Sequence, residues 1–120
     1  MLTFEESREA LSQIADNLPP DIFKELNGGI ILLPDTLSDD EDFLILGQYH
    51  EDPQGLGRYI TIYYGSMIDV YGHLSSQAFR KELEAVLYHE LVHHLESLAG
   101  DHSLEIEDAL EIERYLKSKQ

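Results

Sequence analysis

The stretch LYHELVHHLESLAGDHSLEIED, residues 87–108, holds the pattern His89-Glu90-x-x-His93 inside a leucine-rich run. Phe79, Leu83, Leu87, Leu91, Leu95 and Leu98 recur every three or four positions, the period of one helix face. Together they predict a long helix from Ser75 or Ser76 to Gly100. Residues four apart on a helix share a face, so His89 and His93 can both present an imidazole nitrogen to one ion, on the side opposite the leucines. Glu90 stands about 100° further round. It is near enough to face an ion-bound water without ligating the ion. Two neutral imidazoles that hold zinc, a water acidified by the metal and a carboxylate that takes its proton are the parts of metal-assisted hydrolysis. The structural alternative is a pair of exposed or hydrogen-bonded histidines on a solvated face. The independent helix prediction and the leucine stripe behind the motif favour the metal.

Upstream, Thr3 and Glu6 form a capping-box pattern ahead of Phe4, Leu11, Ile14 and Leu18, which predicts an amphipathic helix over residues 4–17. LPPD ends it, DIFKEL makes a short helical turn, and NGG stops that turn. Three strands are then expected, GIILLP, FLILGQYHE and RYITIYYGSM, separated by the turn-rich PDTLSDDED and EDPQGLG. Downstream, a last helix is expected over residues 103–117. One helix, three strands and two helices predict an α+β domain with its sheet packed on helices.

The chain has 120 residues, a length that suits one domain with a single core and needs no metal or disulfide as a staple. Any metal is therefore expected to be functional. With 24 acidic and 8 basic residues the formal charge is −16. Such a charge repels phosphate backbones and anionic lipid, so neither nucleic acid nor membrane is an expected partner, whereas cationic peptides remain compatible. There is no cysteine, hence no disulfide and no thiolate ligand or nucleophile. MLTFEESREA lacks the features of a signal peptide, and no apolar run approaches membrane-spanning length, so the expected location is the cytoplasm. The acidic runs SDDED and EIEDALEIER lack calcium-loop spacing and read as solvated faces.

Beyond the motif, the sequence resembles the minimal zincin-like metallopeptidases of bacteria, a family long catalogued as domains of unknown function. LPPDIFKELNGGIILLPD resembles that family's helix-to-strand segment, LGQYHEDPQGLGRYITIYYGS its central hairpin and VLYHELVHH its active-site helix. The resemblance implies a small zincin core, a peptide or protein substrate, and an edge strand above the zinc helix that pairs with an extended substrate. RYITIYYGSM is the expected edge strand. The family pattern continues from the second His with a Gly three residues on and an Asp three beyond that. Here those positions hold Glu96 and Ala99, and the Gly comes late, at Gly100.

The third ligand must therefore be sought elsewhere. If the chain reverses over AGDHS and the last helix returns antiparallel, residues near 108–110 should lie opposite His93. On a helical wheel, Leu104, Ile106, Ala109, Leu110, Ile112, Tyr115 and Leu116 form an apolar arc that also contains Asp108 and Glu105. A carboxylate in such an arc is costly unless paired, hydrogen-bonded or metal-bound. Asp108 is thus the first candidate ligand and Glu105, with its longer side chain, the second. Asp101 follows the late Gly, but at 1.5 Å per residue it lies roughly 10 Å along the helix from His93. Glu96 shares the histidine face as a neighbour of the site or a solvated glutamate. His94 reads as structural or supporting, and His50, His73 and His102 as ordinary loop histidines. Tyr63, Tyr64 and Tyr71 read as packing residues, with an oxyanion donor among them the less common use.

The expected protein is a metallopeptidase with one zinc ion, His89 and His93 as ligands, Glu90 as general base and Asp108 or Glu105 completing the site. The alternative is a non-catalytic zincin-like binding or adaptor module.

Overall fold

The computed structural model describes residues 1–102 and 104–119. Helix α1 (Phe4–Asp16) is closed at its start by the expected capping box: Thr3 Oγ1 accepts from Glu6 N–H, and Glu6 Oε1 accepts from Thr3 N–H. After a 3-10 turn (Pro20–Phe23) come β1 (Gly29–Leu33), the two-residue strands β2 (Leu37–Ser38) and β3 (Leu44–Ile45), β4 (Gly47–Asp52) and β5 (Gly57–Tyr63). Three helices follow: α2 (Tyr64–Tyr71), α3 (Ser76–Gly100) and α4 (Ile106–Ser118). The architecture is α+β.

The main sheet has the order β1-β5-β4, with β1 parallel and β4 antiparallel to β5. Residues opposite one another share a face, so the register aligns Leu32, Ile60, Ile62, Gly47, Tyr49 and Glu51 on one side. This face packs on α1 and α3: Leu32, Ile60 and Ile62 enter one buried cluster with Leu11, Ile14, Phe79, Leu83, Leu87, Leu91 and Leu95. The predicted leucine stripe of α3 is thus the centre of the core. Ser75 caps α3, its Oγ accepting from Ala78 N–H.

Three expectations change. RYITIYYGSM is not an edge strand and does not stay extended: β5 is the middle strand, and the chain turns helical at Tyr64. The turn follows from docking on residues 35–37. Gly65 N–H donates to Asp35 O, and a β-carbon at Gly65 would fall 2.3 Å from Thr36 Oγ1. Ser66 Oγ accepts from Leu37 N–H and donates to Leu37 O. FLILGQYHE is broken between β3 and β4, because β3 leaves the main sheet to pair with β2. The last helix begins at Ile106 rather than near Ser103, a residue outside those described. Among the described residues no helix is long and apolar enough to cross a membrane.

Candidate metal and catalytic site

Helix α3 turns His89 and His93 outward while its leucines enter the core. The two Nε2 atoms lie 3.3 Å apart, with the rings nearly perpendicular. Two imidazole nitrogens at zinc-ligand distance, 2.0–2.1 Å, on a tetrahedral ion stand about 3.3–3.4 Å apart. The pair therefore has the spacing of two ligands to one ion. Glu90, one residue along, is only 6% exposed and makes no hydrogen bond or ion pair among the described residues. Burial pushes its carboxyl above the usual range, partly offset by His93. A largely buried side chain whose carboxylate reaches the cleft without a hydrogen-bond partner, its pKa raised, suits a proton acceptor.

Glu90 and His93 meet an open cleft of about 580 Å³ lined also by Gln48, Tyr49, His50 and Glu51 of β4 and by Glu96 and Ser97 of α3. Its second wall is thus an edge strand. Leu46 O accepts from Tyr63 N–H. Because bonded and non-bonded pairs alternate along an antiparallel ladder, Gly47, Tyr49 and Glu51 direct their backbone N–H and C=O groups away from β5.

Besides Ser97 Oγ, which donates to Glu51, two further contacts hold β4 against α3 among the described residues. His94 is fully buried, and its Nε2 lies 2.8 Å from Lys24 O. A carbonyl can only accept, so Nε2 carries the proton and Nδ1 accepts from Tyr49 O–H, also at 2.8 Å. Burial holds the His94 pKa below its ordinary value. His94 is a structural tie rather than a ligand, in line with the sequence reading. The second contact is at Gly47, where a β-carbon would lie 2.9 Å from Val86 Cγ1 and 3.3 Å from Glu90 Cγ and Oε2. Gly47→Ala is therefore expected to displace β4 or the Glu90 carboxylate. The expected cost is about 1–3 kcal/mol in denaturant melts, with a larger proportional loss of any Glu90-dependent activity.

The structure does not bring Asp108 or Glu105 to the histidines. Helix α4 buries Ala109 and Leu116 and leaves Ile106 and Leu110 exposed, so the buried arc is narrower than the wheel implied. Asp108 is exposed and lines a separate concavity with Pro19, Asp21, Leu104 and Tyr115. Glu105 is exposed at the N-cap of α4. Asp101 is the C-cap residue of α3 and pairs with Arg58, whose guanidinium also reaches Ser97 and Glu25. Among the described residues, no group of three or more His, Cys, Asp or Glu able to hold an ion is assembled. Glu96 does line the cleft, as its place on the histidine face suggested, and so does Glu51. Sequence reasoning missed Glu51, Gly47 and Tyr49. Their alternation within GQYHE was legible, but which edge of the sheet they occupy was not. His50, read as a loop residue, lies in β4, where its Nε2–H donates to Thr61 Oγ1 and its ring stacks on Tyr59. Tyr63 donates to Gln48 Oε1 and Tyr64 to Leu2 O, both in packing roles.

What the fold and the cleft define is a small α+β domain whose longest helix carries a histidine pair beside a free strand edge. No protein-family model matches the chain, and no curated protein matches it. Among solved structures it is similar to the conserved hypothetical protein TTHA0227 from Thermo thermophilus, with a TM-score of 0.72 and 32% sequence identity. The match covers 82% of this chain and 99% of that one. The chain belongs to the family of that protein.

Proposed function

We propose that the protein is a zinc-dependent hydrolase of peptide bonds with a minimal zincin-like fold. The observation that carries the reading is the convergence of the His89 and His93 Nε2 atoms to 3.3 Å beside the buried, unpartnered Glu90. His89 and His93 would hold the ion. Among the described residues no carboxylate is assembled with them as a third ligand. When bound, zinc lowers the pKa of a coordinated water towards neutrality and polarises the substrate carbonyl. The remaining work falls to the chain itself. Glu90 takes the proton from the attacking water and can return it to the leaving amine. Gly47, Tyr49 and Glu51 offer backbone N–H and C=O groups to an extended peptide, which would join the sheet as a further strand. The edge expected of β5 from the sequence is thereby assigned to β4.

The alternative, a binding or adaptor module on the same fold, is favoured by one observation: no third donor joins the histidines among the described residues. Activity separates the two readings. Hydrolysis of an unstructured protein such as reduced, alkylated casein is expected from the zinc-treated protein. A strong chelator should abolish it, and added zinc should restore it. No hydrolysis by protein that carries zinc would leave the binding module standing.

A further inference from the structure

The two walls of the cleft carry the same charge. Glu51 projects from the edge strand and Glu96 from α3, both exposed, and the buried Glu90 lines the same cleft further along, beside Gly47. The lining contains no Lys or Arg. Arg58 stands opposite Glu51 in the β4–β5 ladder, and Lys117 feels the charge of Glu96. Arg58 is tied to Asp101, Glu25 and Ser97, and Lys117 is paired with Glu113 at 2.8 Å. Glu51 accepts from Ser97 Oγ, which fixes its position while leaving the carboxylate with further acceptor capacity. Two separate observations point to a ligand here: the nine-tenths buried Glu90 with no partner among the described residues, and the free backbone edge of Gly47, Tyr49 and Glu51.

From these we infer that the cleft selects extended peptides bearing a basic side chain, Lys or Arg, which Glu51 and Glu96 receive from opposite walls. This substrate class rests on the reading of the cleft as a peptide-hydrolysing site. Along a strand, alternate side chains point the same way, so a peptide paired with β4 turns every second side chain towards α3 and its carboxylates. The strand edge supplies affinity without regard to sequence, and the two glutamates supply the preference.

The test is equilibrium binding by fluorescence anisotropy to the zinc-treated Glu90→Gln protein, in which turnover is blocked. The probes are three labelled peptides of one neutral sequence that differ at a central Lys, Gln or Glu. The expected order is Lys over Gln over Glu, with the Lys peptide about tenfold tighter than the Glu peptide at low salt and the span shrinking as salt rises. The double substitution Glu51→Gln with Glu96→Gln should collapse the span. The charge-matched pair Glu41→Gln with Glu107→Gln, both at exposed positions, should leave it in place. Equal affinities, no binding of any peptide, or an equal loss of preference in the control pair would overturn the inference; the last would assign the effect to overall charge. Cleavage of the same peptides by the wild-type protein is scored separately. A Lys-selective cleft that never cleaves retains this inference and removes the hydrolase, whereas unselective cleavage does the reverse.

Discussion

Replacing Glu90 with Gln is expected to lower peptide hydrolysis by roughly 10²–10⁴-fold, the usual contribution of a positioned general base, while leaving zinc content unchanged. The amide keeps the size of the side chain, so the 3.3 Å histidine pair and the packing under Gly47 are preserved, but it accepts no proton. The same substitution should make the metal-free protein more stable at neutral pH. Burial raises the Glu90 pKa in the folded state, so the folded chain holds the carboxyl proton more tightly than the unfolded chain does. Its contribution to stability is therefore present below the unfolded value of about 4.3 and is lost as pH rises through the folded value. At pH 7 the wild type keeps a buried, unpartnered carboxylate that Gln removes, a gain on the order of 1 kcal/mol. That gain should vanish as pH falls to about 4. Lost activity with raised stability is the signature of a catalytic group held in an unfavourable setting. A variant with wild-type rates would remove Glu90 from the chemistry.

The largest loss of stability is expected from His94→Ala. The side chain is fully buried, and both ring nitrogens are bonded, one to Lys24 O and one to Tyr49 O–H. Truncation opens a cavity beside the Tyr49 ring and strips Tyr49 of its acceptor, for about 3–4 kcal/mol in denaturant melts. Because Tyr49 belongs to β4, the edge strand should loosen too and hydrolysis should fall, although His94 touches neither substrate nor ion. The native tie also has a pH signature. With the folded pKa held below the unfolded value of about 6.5, its contribution is present above that value and lost as pH falls towards the folded one. The wild type should therefore weaken below about pH 6.5 in a way the His94→Ala protein does not. A fall of less than 1 kcal/mol would show that β4 is held by other contacts.

Local chemistry was readable from the sequence wherever the determinant and its effect lie within a few residues. Thr3 with Glu6, Ser75 before α3, the leucine stripe and the outward histidines are all of this kind, and all stand where the spacing put them. What depends on distant partners was not. That β5 is the middle strand follows from its parallel pairing with β1, which nothing within RYITIYY encodes. Helix α2 was missed because the strand-like YITIYY runs straight into it, although Tyr64, Met67, Ile68 and Tyr71 already repeat at helical spacing. Asp108 illustrates the limit of a wheel: the apolar residues of α4 outnumber those its contact with α3 can bury, so membership of the arc did not mean burial.

Elemental analysis after zinc incubation and desalting tests whether the His89–His93 pair binds zinc. One zinc per wild-type chain is expected, and none in a His93→Ala protein that remains folded by circular dichroism. Undiminished zinc is expected in Asp108→Asn and Glu105→Gln, since neither carboxylate is assembled with the histidines. Wild-type protein that takes up no zinc, or His93→Ala protein that retains the full amount, would contradict zinc binding by the pair.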